Sequence, residues 1–574
     1  MPIRSPFPDV GIPAQDVTAF YFGLAQKREI SSKCGSASDV PLIINDATKE
    51  QCSFSDIKQL SATVAQGLVA TGLDIRYRQS HCDRSFTGHV GAILLRTDIR
   101  LSAIHFGILL AGGTVAAMDP DQSPSVLGER LKVINANSVF VAADLLPLLL
   151  SALDQAGYHV PKSRIFVLDA FCCDKPVTDN ECVLFDDFVA ANSDAQYKPP
   201  EPMPEEELAR KVALIVYSSG TTGSAKGVML THRNLVAAQM MVNGYIAQNP
   251  ISVTKDGIPS YARESILAAL PPWHLFGFSV QVYQPLATGC YLVVLPVLDP
   301  FSYIQAIERY RIGRLCATPG TLHALVSNSH RSKESGRITV TAVAEQSYDI
   351  SSVRAIVCGG ASIPPARKKQ YREFFGNPVF AIGYGATETS SIIAGCTLRK
   401  PAPGAVGVLY PNSIAKVLDA DASETDGFGE LFISGPQVMA GYVSKDIKSP
   451  ITDDGFLGTG DYVRVTPEGD VFFRGRVSDI IYTSDGPVST TDIEDVVSDC
   501  PAVADCGAVG VGPTGHALPV LFVVLDSSSK YCLDEVKKWI KTHLSFFVEC
   551  REIDQVPKNH GGKILRRVLV EKAG

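Results

Sequence analysis

Tyr217-Ser-Ser-Gly-Thr-Thr-Gly-Ser-Ala-Lys-Gly227 decides how the rest of this chain is read. Apolar runs flank it, residues 211–217 before and Val228-Met-Leu230 after, so a loop of small and hydroxyl-bearing residues separates two strands. Glycines let backbone N–H groups approach an anion, the hydroxyls add donors, and Lys226 adds a point charge. Cradling phosphate is the chemistry such a loop suits. A flexible surface loop has similar hydroxyl content but needs no buried strand on each side. The common nucleotide P-loop ends in Gly-Lys-Ser/Thr and runs into a helix. Here Ala225 precedes Lys226 and a strand follows, so this loop is of another kind.

Working outward, short apolar runs alternate with helical patterns. Residues 90–95 read as a buried strand, 101–110 as a helix, Gly112-Gly113 as its stop and 114–118 as a further strand. The pattern recurs at 164–168, 265–270, 291–295, 353–358 and 378–382, which predicts an α/β protein with two or more layers. Residues 198–207, rich in Pro and Glu, read as a surface linker. After about Phe428 the pattern turns hairpin-rich, and beyond Arg476 it becomes a compact α+β module. There Thr491 and Glu494 have the spacing of a capping box, 504–511 and 518–525 read as strands, and apolar positions 533, 536, 540 and 544 share one helix face. Gly510-Val-Gly-Pro-Thr-Gly515 matches GxGxxG, but a strand follows it, so it is a hairpin turn and no dinucleotide site.

The 574 residues exceed one domain, and the hydrophobic fraction of 45% supports large cores. The net charge of −8 argues against a nucleic-acid partner bound through a basic surface. Fourteen scattered cysteines without CxxC or metal-ligand spacing read as reduced thiols, and no zinc site is expected. No signal peptide, membrane span or C-terminal Ser-Lys-Leu is read, which leads to the expectation of a cytoplasmic protein, a monomer or weak homodimer.

Five further segments follow in order: Leu270-Pro-Pro-Trp-His-Leu-Phe-Gly-Phe278, Cys358-Gly-Gly-Ala-Ser-Ile-Pro364, Gly383-Tyr-Gly-Ala-Thr-Glu-Thr389, Gly458-Thr-Gly-Asp461 with Gly475-Arg476, and Pro557-Lys-Asn-His-Gly-Gly-Lys-Ile-Leu565. Together with the glycine-rich loop they resemble the acyl-adenylating superfamily: acyl- and aryl-CoA ligases of the 4-coumarate-CoA ligase type, firefly luciferase and peptide-synthetase adenylation domains. The resemblance implies a large adenylation body over residues 1–477, with two α/β layered sheets and a distorted β-barrel. It also implies a small mobile α+β domain over 478–574 that carries a catalytic lysine. It implies ATP and Mg²⁺, with CoA as acyl acceptor.

It further implies a role for each matched residue. Ser218, Ser219, Gly220, Thr221, Thr222, Gly223 and Lys226 grip the β- and γ-phosphates. Glu388 holds Mg²⁺, Thr387 donates to the α-phosphate, and Tyr384 with Gly385 faces adenine. Gly359, Gly360 and Ala361 admit the purine. Asp461 and Arg476 take the ribose. Lys563 bridges the carboxylate and the α-phosphate. Trp273, His274, Phe276 and Gly383 line the acid pocket.

The family has Asp or Lys where this chain has Ser478, and glycine where it has Ser484 and Asp485. Those positions serve as a hinge and as the loop beside the pantetheine tunnel. The adenylating half is therefore expected intact, and the acceptor is open between CoA, a carrier-protein thiol and an amine. The Trp273–Phe278 stretch has no acid to meet an α-ammonium, which would be costly to bury unpaired, so an aryl or fatty carboxylic acid is expected rather than an amino acid. A non-catalytic nucleotide-binding relative is the alternative of another class, and the joint presence of Lys226, Glu388, Asp461 and Lys563 speaks against it.

Overall fold

The short apolar runs pair into two large sheets in a computed structural model of the chain. It describes all residues except 1, 32–39, 73–87, 170–180, 199–200, 219–224, 249–263, 296–298, 333–334, 342–345, 396–400, 420–422, 426, 485, 514, 527–531 and 559–563. The smaller sheet has a parallel run in the order Val212–Ser218, Thr114–Ala117, Val90–Leu94, Ser138–Ala142, Ile165–Leu168 and Val183–Leu184. Lys226–Thr231 and Gly441–Tyr442 add antiparallel at its edge. Strands covered on both faces read as continuous apolar runs, and all of Val90–Leu94 is buried.

The larger sheet is parallel through Pro41–Asn45, Tyr291–Val294, Ser265–Ala269, Arg314–Ala317, Ala355–Gly359 and Val379–Ala386. It then continues antiparallel through Ser391–Gly395, Gly407–Leu409, Asp470–Arg476, Leu457–Val465, Gly429–Ser434 and Ile414–Leu418. The resemblance also implies a distorted barrel in the body, without saying which strands form it. Among the described residues no barrel closes: the antiparallel segment hydrogen-bonds onto the edge of the parallel strands, and Ile3–Arg4 pairs with Ile414–Leu418 at its far end. A shared core packs Ile93, Val115 and Val216 of the smaller sheet with Ile266, Leu292 and Cys316 of the larger. A second core, with Leu315 and Ala317, lies on the larger sheet's other face under the helices Pro300–Tyr310 and Pro365–Phe374.

A small C-terminal domain follows the large body. A hairpin of Ile480–Thr483 and Gly486–Ser489 leads to the helix Thr490–Ser498, then to a sheet of Val503–Val511, Leu518–Leu525 and Glu549–Glu552. The helix Leu533–His543 matches the face read from the sequence, and the GxGxxG stretch joins two antiparallel strands. The capping box does not form. Ser489 is the N-cap, its Oγ accepting from the Thr491 and Asp492 N–H groups, because Thr491 already lies inside the helix. Glu494 is turned inward instead, accepting from the Ala508 N–H at 2.8 Å and from Arg566. Among the described residues no helix is long and apolar enough to cross a membrane.

Candidate active site

The glycine-rich loop joins two strands in register, with Ser218 opposite Lys226, so the fold holds the two ends of the loop side by side. Ser219, Gly220, Thr221, Thr222 and Gly223 lie outside the described residues, as do Lys563 and Asp485. Beside the loop's ends stands the turn Thr387–Thr389. Thr389 is fully buried; its Oγ1 accepts from the Ala386 N–H at 3.0 Å and donates to a carbonyl of that segment. Ser390, at φ 57°, donates to Gln437 O at 2.7 Å. Pinned on both sides, the turn presents Thr387 and Glu388 to a cavity.

Glu388 Oε1 accepts from Ser218 Oγ at 2.9 Å and from the Tyr442 hydroxyl at 3.1 Å. Lys226 Nζ lies 5.2 Å from the centre of the Tyr442 ring. Tyr442 thus links the carboxylate to the lysine, and burial, then Glu388, push its hydroxyl pKa above the ordinary value, keeping it a donor. The sequence reading missed this residue. Its strand Gly441–Tyr442 has only two residues and joins the sheet through Val228 and Met229, a pairing that no local period signals.

The cavity, of about 1660 Å³, has Ser218, Lys226, Gly359, Gly360, Gly383, Gly385, Thr387, Glu388 and Arg476 on its wall. Trp273, His274 and Phe276 line it as well. His274 precedes the short helix Leu275–Phe278, its carbonyl accepting from the Phe278 N–H at 2.8 Å, and its ring is 6.3 Å from that of Trp273. Gly360 adopts φ 93°, which favours glycine.

Tyr384, Asp461 and Ala361 are not among the wall residues. Tyr384 donates its hydroxyl to Asp461 Oδ2 at 2.7 Å, and Arg476 Nη1 reaches Asp461 Oδ1 at 3.0 Å and Thr459 O at 2.7 Å. Burial, and then Asp461, hold the Tyr384 hydroxyl pKa well above its ordinary value. The register pairs Asp461 with Arg476 across neighbouring strands, so the expected ribose acceptor stands behind the wall, held by the expected donor, Arg476, which is on it. Glu430, also unanticipated, is on the wall, and its carboxyl is raised by burial against the Gly460 N–H that donates to it.

The donor set suits a nucleotide phosphate better than a metal cage. Among the described residues no cluster of three His, Cys, Asp or Glu side chains is poised to bind a metal ion. Mg²⁺ bound through one or two carboxylates and substrate phosphates needs no such cage, and Glu388 beside Lys226 fits that arrangement. Near the domain junction, Ser478 and Leu565 reach the cavity wall, and Ser478 Oγ donates to Asp479 Oδ1 at 3.1 Å. Ser484, at the tip of the 480–489 hairpin, is exposed and not on the wall.

The fold has counterparts among solved structures. ATP-bound MatB from Rhodopseudomonas palustris superposes with a TM-score of 0.76 over 97% of this chain and 99% of that one, at 21% identity. The amide bond synthetase McbA from Marinactinospora thermotolerans gives 0.72 over 96% and 100%, at 20% identity. In sequence, 4-coumarate–CoA ligase-like 3 of Oryza sativa subsp. japonica is 28% identical over 557 residues, 92% of this chain and 85% of that protein. Residues 33–443 match the model of the AMP-binding enzyme family and residues 492–563 that of the AMP-binding enzyme C-terminal domain, so the chain belongs to the AMP-binding enzymes.

Proposed function

We propose that this enzyme activates a carboxylic acid lacking an α-amine as its acyl-adenylate and then transfers the acyl group to the thiol of CoA. The observation that carries this reading is one cavity on which Ser218, Lys226, Thr387, Glu388 and Arg476 meet the apolar and aromatic wall of Trp273, His274 and Phe276. In the first step a carboxylate oxygen attacks the α-phosphorus of ATP, the bond to the β-phosphate breaks and pyrophosphate leaves. The barrier falls when charge on both phosphate portions is met by fixed donors and the reactants are held in line. Lys226 and the Ser218 end of the loop hold the departing phosphates, Thr387 donates to the α-phosphate, and Lys563 bridges it to the attacking carboxylate. Mg²⁺, held by Glu388 and the phosphates, supplies further charge neutralisation when bound.

In the second step the sulfur of CoA attacks the acyl carbonyl, AMP leaves and the thiol proton is lost. The relatives named as CoA ligases favour CoA, and the amide bond synthetase keeps an amine as the second reading of the acceptor. The chain divides at 477/478, with Ser478 as hinge of a mobile C-terminal domain that brings Lys563 to the first step and withdraws it for the second.

A pyrophosphate-exchange screen over aryl and aliphatic acids tests the first step, and thioester formation measured separately tests the acceptor. Glu388→Gln is expected to lower exchange roughly 100-fold or more. Lys563→Ala is expected to abolish adenylation while sparing reaction of a supplied acyl-adenylate with CoA. Absence of exchange with every acid, or equal loss of both halves in Lys563→Ala, would overturn these assignments.

A further inference from the structure

The acid end of the cavity holds a charge that adenylation does not use. Strand alternation puts Arg314, Cys316 and Thr318 on the cavity wall, while Leu315 and Ala317 join the core behind the sheet. Thr318 is beside Gly360, at the nucleotide end, where a Cβ on Gly360 would lie 4.0 Å from Thr318 Cγ2. Arg314 sits four positions upstream on the same strand line, about 13 Å away at the usual rise of a parallel strand. A molecule whose carboxylate lies near the Gly359–Gly383 end therefore has its far end toward Arg314.

Arg314 is 8% exposed. Its Nε and Nη2 atoms are buried and make no hydrogen bond among the described residues. These two nitrogens form one edge of the guanidinium, the fork that receives both oxygens of a carboxylate. Glu264 lies close, with Oε2 at 3.5 Å from Nε, beyond a well-formed hydrogen bond, and its Oε1 accepts from Arg354 Nη2 at 2.9 Å. Glu264 thus serves two guanidinium groups, its formed hydrogen bond going to Arg354, whose side chain is 65% exposed, while the buried Arg314 is left with no formed hydrogen bond on this edge among the described residues. A buried charged donor with its fork unused is costly unless a partner arrives.

We propose that Arg314 is a specificity-determining residue and that the acid this enzyme activates carries a second carboxylate at its far end, received by the Arg314 fork. The proposal rests on the adenylation reading and narrows its substrate class. The reactive carboxylate still meets the α-phosphate, and the distal one stays unmodified as the counter-ion of Arg314. The rest of the pocket, with Val280, Ile266 and Val357 on its wall, packs the apolar stretch between the two acids.

The test is pyrophosphate exchange by the full-length enzyme with a homologous series of α,ω-dicarboxylic acids and the monocarboxylic acids of equal length. The expected result is a dicarboxylate preference in kcat/KM of more than about tenfold at the fitting length, carried chiefly by KM. Arg314→Gln should abolish that preference and Arg314→Lys should retain part of it. The double variant Glu264→Gln/Arg314→Gln, which strands no buried carboxylate, should behave like Arg314→Gln. A wild-type preference for the monocarboxylic acid at every length, or a dicarboxylate preference that survives Arg314→Gln, overturns the proposal. If no acid supports exchange, the adenylation reading fails and thermal-shift titration with the same acids decides the subsite. Stabilisation by a dicarboxylate that Arg314→Gln removes supports it, and no stabilisation overturns it.

Discussion

At the scale of single residues, the site depends on what is absent as much as on what is present. A Cβ on Gly385 would stand 2.2 Å from Ser391 O and 2.9 Å from Ile392 Cα, both backbone atoms of the adjoining strand. Neither can swing aside as a side chain would, so the two strands must part. Overpacking of this kind typically costs about 1–3 kcal/mol. The displaced segment carries Thr387 and Glu388 two and three positions on. Gly385→Ala is therefore expected to lower the melting temperature modestly and pyrophosphate exchange far more. Parallel measurement of both checks this, and exchange that falls only in proportion to the folded fraction would remove Gly385 from the site's positioning. Lys226, Glu388 and Thr387 were legible in the sequence because each lies in a short motif. Tyr442 and Glu430 were not, because strand pairing across the fold brings them to the wall.

At the scale of elements, local period was a good guide and pairing was not. The helix Leu101–Leu110 and the strands around it follow from apolar runs and a Gly-Gly stop. That the antiparallel strands would extend a parallel sheet, and among the described residues close no barrel, depends on partners such as Ile3 and Ala415, which no local pattern links. The helix Thr490–Ser498 shows the same limit. Glu494 has capping-box spacing, yet its partner is Arg566, far along the chain. Arg566 Nη1 and Nη2 reach Glu494 at 2.5 and 3.1 Å, and Nε reaches Asp479 at 3.0 Å. Burial opposes the charge on Arg566, but Glu494 and Asp479 outweigh it and hold its pKa above the ordinary value. Removing one partner of such a buried pair strands the other and costs about 3–5 kcal/mol. Arg566→Met should thus lower the urea midpoint of the C-terminal domain strongly, and Glu494→Gln/Arg566→Met should recover part of the loss. Urea unfolding followed by Trp539 fluorescence reads this out; equal midpoints for Arg566→Met and the double variant would show that the ion pair is not what Arg566 supplies.

At the scale of the whole molecule, the two parts are built to respond oppositely to acid. In the large body His89, His105 and His232 are buried and neutral, hydrogen-bonded to Ser138, Tyr283 and the Val17 N–H. Burial first, then nearby positive or titratable groups, pushes their pKa values down to about 4, about 3 and about 3, from an ordinary 6.5. The unfolded chain takes up these protons as pH falls below 6.5 and the folded body refuses them, so the body loses stability from about pH 6.5 downward. In the C-terminal domain the sign is reversed. Burial, and then Glu494, Asp492 and Asp499, raise Asp495 to about 7 from an ordinary 3.8. The fold keeps a proton that the unfolded chain has released, so this domain loses stability as pH rises from about 4 to about 7. Between about pH 4 and 6.5 acidification should therefore lower the melting transition of the body while raising that of the C-terminal domain. Asp495→Asn should weaken the second dependence, of which Asp492, also raised by burial, keeps a share, and leave the first unchanged. Calorimetric scans of the full chain across this range, with limited proteolysis to assign each transition, make the comparison. Transitions that shift in the same direction, or a C-terminal transition in Asp495→Asn that still tracks pH as in the parent, would show that these groups do not set the acid response.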